Sequence, residues 1–203
     1  MARGRLRLAL VSTAKHDIPA RLGVFCAAHP GIDVALAVTN REAVLERFAV
    51  NEDDLYVLGT PPDSLGAEAV RFAENPLVLV APPDHPLARR ADVVAADVAR
   101  WPFLMREPGS GTRIAAEAFF AAEGVALTVR MELGANEAIK QAVIAGLGVA
   151  VLSRGTVELE LRHGLLAVLD LRGFPLRRHW YVAWPWGKRL SVAAQAFVDV
   201  LTA

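Results

Sequence analysis

The densest concentration of ligand-holding chemistry in this chain is Arg106-Glu107-Pro108-Gly109-Ser110-Gly111-Thr112-Arg113. Its glycines let backbone approach a ligand closely and adopt dihedrals closed to other residues. Ser110 and Thr112 supply hydroxyls, Arg106 and Arg113 supply charge, and the set suits a carboxylate or phosphate. It is neither a P-loop, which ends Gly-Lys-Ser/Thr, nor the Gly-x-Gly-x-x-Gly dinucleotide fingerprint. A glycine-rich turn running into a helix cap accounts for the same residues without a ligand. Ser12-Thr13-Ala14-Lys15 is the second candidate. Two hydroxyls and an ammonium meet there at a strand-to-helix joint, where unpaired amides and the positive dipole end favour anions. An ordinary cap explains the hydroxyls equally, and Lys15 favours the anion site. Thr39-Asn40-Arg41, Thr60-Pro61, Asn136 and Ser153 complete the candidate ligand contacts. Asn40 and Asn136 also read as helix caps, and Arg41 as a solvated charge.

Catalytic arrangements are poorly supported. His16, His29, His85, His163 and His179 show no metal-ligand spacing, and no cysteine pair accompanies them. His29 and His85 precede prolines and read as turn residues, while His179 reads as packed in a strand. His16, beside Ser12 and Lys15, is the only pairing of interest. A Gly-x-Ser-x-Gly nucleophile elbow is missing, and Asp53-Asp54 reads as a solvated strand start. Trp180-Tyr181-x-x-Trp184-Pro185-Trp186 could stack nucleotides but reads better as strand packing. The expectation is a binding module, not an enzyme, with no cofactor and no metal.

These loops must be held by strands and helices whose periods show in the chain. Arg5–Val11, Ile32–Val38 and Asp54–Leu58 read as strands, separated by helices over Ile18–Ala28 and from Thr39-Asn40 to about Val50. Strand–helix–strand repetition implies parallel strands with right-handed crossovers. Ala69–Ala73 and Leu77–Ala81 are strand-like runs around Glu74-Asn75-Pro76. A second series follows: strand Phe103–Arg106, helix Ile114–Glu123, strand Leu127–Leu133, helix Glu137–Ala145, strand Val149–Ser153 and a short helix Thr156–Leu161. A last strand, Arg177–Ala183, and an amphipathic helix, Val192–Leu201, are left over and can return to the first series. The predicted class is α/β, with two Rossmann-like subdomains, 1–75 plus 175–203 and 76–174, joined by a two-strand hinge in the manner of periplasmic binding proteins. The crossings fall near Glu74–Pro76 and Leu171–Pro175. Parallel α/β sheets bind ligands beyond the carboxyl ends of their strands, so the interlobe cleft lined by the strand-to-helix loops is the expected site.

Composition agrees. The 203 residues are 54% hydrophobic and carry 22 basic and 22 acidic side chains, without the basic excess of a nucleic-acid-binding domain. No apolar run reaches the roughly 18 residues of a membrane span, and Met1-Ala2-Arg3-Gly4 is too short and polar for a signal peptide. The single cysteine, Cys26, lies in an apolar stretch and reads as buried. The expected location is the cytoplasm.

The order of these pieces resembles the effector-binding domain of LysR-type transcriptional regulators. The likeness is carried by Gly4-Arg5-Leu6-Arg7-Leu8-Ala9 with Ser12-Thr13-Ala14, His29-Pro30-Gly31-Ile32-Asp33-Val34, Gly109-Ser110-Gly111-Thr112-Arg113 and Lys140 through Ser153. Ser12-Thr13-Ala14-Lys15, Thr39-Asn40-Arg41-Glu42 and Asp53 through Gly59 are most similar to the branch that controls Calvin-cycle carbon-fixation operons, which usually has an aromatic where this chain has His16. The resemblance implies a small anionic, phosphorylated metabolite or nicotinamide nucleotide as effector, and a homodimer of this domain within a homotetramer of the full-length protein. It also implies that DNA is read only by an N-terminal domain outside this chain, with no membrane partner. A solute-binding protein of a transport system shares the two-lobed logic and is the alternative; an enzyme built on the same cleft is a third.

Overall fold

The computed structural model describes residues 4–203. The first stretch of the chain comprises β1 (Gly4–Val11), α1 (Ile18–Ala28), β2 (Ile32–Thr39), α2 (Arg41–Ala49), β3 (Leu55–Leu58) and β4 (Ala67–Glu74). The middle comprises β5 (Leu77–Ala81), α3 (Ala95–Val98), β6 (Phe103–Arg106), α4 (Gly111–Ala122), β7 (Val129–Leu133), α5 (Asn136–Ile144), β8 (Ala150–Ser153), α6 (Arg154–Arg162) and β9 (Ala167–Val168). β10 (His179–Pro185) and α7 (Val192–Thr202) close it. The chain divides into two compact units, Met1–Glu74 with His179–Ala203, and Asn75–Arg178.

The first unit is built on one five-stranded sheet in the order β2-β1-β3-β10-β4. β1 runs parallel to β2 and β3, whereas β10 is antiparallel to β3 and β4. Alternation along each strand explains the layering. Leu6, Leu8 and Leu10 of β1 join Leu55 and Val57 of β3 in a core with Phe25 of α1 and Phe197 of α7, while Ala9, Tyr56 and Leu58 pack on the other face with Val44 and Phe48 of α2. The rings of Phe25 and Phe197 meet edge to face, with centroids 5.3 Å apart. The last helix thus sits in the core of the unit where the chain began.

In the second unit β5 is flanked by β8 and β9, antiparallel to both. β6 and β7 pair in parallel, and an isolated parallel bridge joins Phe103 to Val149 just before β8. Period-two burial recurs: Leu77 and Leu79 face one core with Phe103, Val151 and Phe120, while Val78 and Val80 face another with Leu104, Leu152, Ile139 and Val143. Strand β5 here, like β10 in the first unit, is the antiparallel member through which the chain enters.

Several expectations need correction. The second crossing lies at Arg178–His179, not at Leu171–Pro175. Residues 171–178 stay with the second unit because Leu77 and Leu176 exchange backbone hydrogen bonds of 3.0 Å each and the Asn75 amide donates to the Arg178 carbonyl at 2.7 Å. Gly173, at φ +86°, turns that segment where a Cβ would stand 2.8 Å from the Phe119 ring. Cys26 is exposed, not buried. Of α1, only Ile18 and Phe25 are buried, and the next residue after Phe25 lies about 100° round the helix, so apolar neighbours in sequence were a poor guide. Asp53 is also buried, not solvated. Arg47 Nε and Nη2 grip its carboxylate at 2.8 and 2.9 Å, and the Tyr56 hydroxyl accepts from the Asp53 amide and donates to the Arg47 carbonyl. That set pins α2 to β3.

The returning helix provides a test of the first unit. Phe197→Ala should lower the unfolding free energy by about 3–5 kcal/mol, the usual cost of emptying a buried Phe site, as read from urea midpoints at unchanged slope. A loss below 1 kcal/mol would show that α7 packs loosely.

Candidate functional site

In the first unit the expected contacts sit at the carboxyl ends of β1, β2 and β3. Ser12–His16 forms a short 3-10 helix with no side-chain cap, so the helix cap that offered an alternative account of its hydroxyls does not occur. Thr13 and Ala14 are buried, while Ser12 and Lys15 are half-buried. Asp17 precedes α1 and accepts a hydrogen bond from Trp180 Nε1 at 3.1 Å. Asn40 does cap α2, its Oδ1 accepting from the Ala43 amide at 2.9 Å. Arg41 Nη1 donates to the Thr60 carbonyl at 2.9 Å. That bond brings Thr39-Asn40-Arg41 and Thr60-Pro61 together, a link that spacing did not show.

In the second unit the expected contacts lie at the ends of β6, β7 and β8. Helix α4 starts at Gly111, three residues earlier than predicted, and the Ser110 side chain accepts a long 3.5 Å contact from the Arg113 amide. Gly109, at φ +79°, makes the turn before it. Arg106 is only 3% exposed. Its Nε and Nη2 hold both oxygens of Glu107 at 2.7 and 2.9 Å, and its Nη1 donates to Asn136 Oδ1. Arg113 donates to Glu117 at 2.8 Å, to Glu132, and to the Arg106 carbonyl at 3.0 Å. The hydrogen bond to Glu132, then that to Glu117, raises the Arg113 pKa further. Both loop arginines are therefore balanced by glutamates, and the hydroxyls of Ser110 and Thr112 and the helix amides are the neutral donors beside them.

Asn136 is the first residue of α5 and not its cap, which is Ala135. The side chain is 2% exposed and reaches inward to Arg106, and its Nδ2 has no partner among the described residues. Ser153 does not open a loop: α6 follows it immediately, and its Oγ donates to Asn75 Oδ1 at 2.7 Å. Sequence reasoning passed over Asn75 and Lys140 as site residues, both buried polar residues of this unit. The signal was present for Lys140, which stands one turn after Asn136 on a helix whose buried face also carries Ile139 and Val143.

The histidines do not gather. His85 Nδ1 accepts from the Leu87 amide at 3.2 Å, and its ring packs on Trp101 with centroids 4.3 Å apart. Trp180 is in the core, as strand packing required, whereas Trp186 is 77% exposed. No group of His, Cys, Asp and Glu among the described residues could hold a metal ion. No helix among them is long and apolar enough to cross a membrane.

The family model described as the LysR substrate binding domain matches residues 1–203. The chain belongs to that family. It is 52% identical over its whole length to the RuBisCO operon transcriptional regulator of Acidithiobacillus ferrooxidans, covering 66% of that protein. It is 46% identical to the transcriptional activator CmpR of Synechocystis, covering 67%. The chain thus spans about two thirds of the length of these relatives. Among solved structures it superposes on the Synechocystis CcmR regulatory domain in complex with 2-PG with a TM-score of 0.95 at 46% identity, covering 98% of this chain and 96% of that one. The α/β, periplasmic-binding-protein-like fold class read from the sequence is the class of these domains.

Two measurements check this geometry. Asn136→Leu removes an acceptor from the buried Arg106 guanidinium and should cost about 1–3 kcal/mol in urea unfolding, whereas Glu117→Gln, at an exposed pair, should change stability little. Burial, against the opposing charge of Asp84, lowers the His85 pKa below 6.5. The unfolded chain then binds the proton more readily, so this contribution is complete above pH 6.5 and is lost as pH falls through the folded value. His85→Gln should flatten that acid-side slope; an unchanged slope would refute the assignment.

Proposed function

We propose that this chain is the effector-sensing part of a transcriptional regulator of carbon-fixation genes and that its effector is a small phosphorylated anion. The observation that carries this reading is the likeness to the CcmR regulatory domain, whose structure holds 2-PG. The regulators of RuBisCO operons among its relatives support the target genes. Effector contacts are proposed from both units. Ser12, Thr13, Ala14 and Lys15 with Thr39, Asn40, Arg41, Thr60 and Pro61 form one set. Arg106, Glu107, Gly109, Ser110, Gly111, Thr112 and Arg113 with Asn136 and Ser153 form the other. Lys15, Arg106 and Arg113 are the cations proposed to meet the phosphate, and the hydroxyls of Thr13, Ser110 and Thr112 are the neutral donors proposed beside them.

An effector that binds one conformation better shifts the population toward it by its difference in affinity. In the full-length protein that shift would reach DNA through a separate reading domain, in the cytoplasm, and no step of it requires catalysis. Pairing of two copies is proposed as well. β2 is the outer strand of its sheet, with Leu36 and Val38 exposed, and an open apolar edge favours association.

Calorimetric titration with 2-PG should show saturable binding that Lys15→Gln and Thr13→Ala each weaken about tenfold or more, as loss of a charge-assisted hydrogen bond does. Absence of binding by the unaltered chain, or full affinity in the double variant, would refute this reading.

A further inference from the structure

Lys140 is a buried cation outside the proposed effector contacts. It is 7% exposed and lies one turn after Asn136 on α5. Its Nζ stands 3.1 Å from the Thr156 carbonyl oxygen and 2.8 Å from Glu160 Oε1. Thr156 and Glu160 are themselves one turn apart on α6, so a single ammonium grips two successive turns of the facing helix. Thr156 Oγ1 has no hydrogen-bond partner among the described residues, so this threonine contributes its backbone and not its hydroxyl to the grip.

An enclosed ion pair is a poor way to gain stability. Desolvation cancels most of the attraction, and apolar replacement of both partners is often neutral or better. What the pair supplies is register, because an ammonium aimed at two acceptors admits one placement of α6 along α5, whereas apolar packing admits several. The two helix starts fixed in this way are the ones that matter for the site. α5 begins with Asn136, which holds Arg106, and α6 is preceded by Ser153, which donates to Asn75, the first residue of the unit.

We propose that Lys140 is a positioning residue for effector binding: its grip on Thr156 and Glu160 holds the starts of α5 and α6 at the spacing the effector requires and ties that spacing to Asn75. The proposal rests on the effector reading above. It is tested by comparing Lys140→Met with the paired variant Lys140→Met/Glu160→Leu. The single variant leaves a buried carboxylate without its cation and should lose stability. The paired variant should return to near the original melting temperature, yet bind 2-PG about tenfold more weakly and show about tenfold faster amide exchange at Asn75, Leu77 and residues 153–156 without ligand. Recovery of affinity and exchange along with stability would make the pair merely structural and overturn the proposal. If the unaltered chain does not bind 2-PG, the effector reading falls, and the ligand-free exchange comparison still decides whether the grip sets those segments. Lys140→Arg keeps the charge and should show the same pattern about threefold; unchanged exchange in that variant and in the paired one would also overturn it.

Discussion

A strand buried on both faces can place polar side chains only at its ends, and the organisation of this molecule follows from that constraint. β3, β5, β6 and β8 are buried along their whole length. Their side chains alternate between two cores, so neither face is available for chemistry. The polar residues gather where the strands stop: Arg106 ends β6, Ser153 ends β8 and Asn75 precedes β5. Each then needs a partner, because an unpaired buried donor costs more than a made bond returns. The hydrogen bonds Arg106–Asn136 and Ser153–Asn75 are the result.

Charge is handled by the same logic at higher stakes. Isolated buried ions are prohibitively costly, and in this chain Arg106 meets Glu107, Asp53 meets Arg47 and Lys140 meets Glu160. The pairs do different things. Arg47–Asp53, with Tyr56, fastens α2 to β3 inside the first unit and so sets the loops that carry Asn40 and Thr60. Arg106 is balanced by Glu107 within its own loop, and Arg113, which leaves that loop cationic by composition, is balanced by Glu117 and Glu132 from outside it.

Much of the fold was legible because period-two alternation and helical spacing leave direct marks. Leu6, Leu8 and Leu10 against Ala9 announce a strand between two layers, and the leftover strand and helix at the end were free to return to the first unit, as they do. Failures arose where geometry intervenes between neighbours in sequence. Cys26 follows a core residue, yet a helix turns the next position away. Asp53 resembles a solvated turn residue until Arg47, six positions earlier, is folded against it. The end of the second unit moved to Arg178 because backbone pairing with β5 leaves no side-chain signature.

The candidate site was legible as residue types and not as contacts. Hydroxyls, glycines and arginines at strand-to-helix joints point to anion chemistry, but nothing in their spacing says that Glu107 and Glu132 will occupy the arginines first. Caps were legible only in part: Asn40 caps its helix, whereas Asn136, of the same type before a similar helix, sits one position further in. That single residue of phase carries the side chain from solvent to the interior, where it meets Arg106. A site built on such placements depends on helix register as much as on residue identity. For that reason a buried lysine outside the set of proposed contacts, such as Lys140, is proposed to govern them.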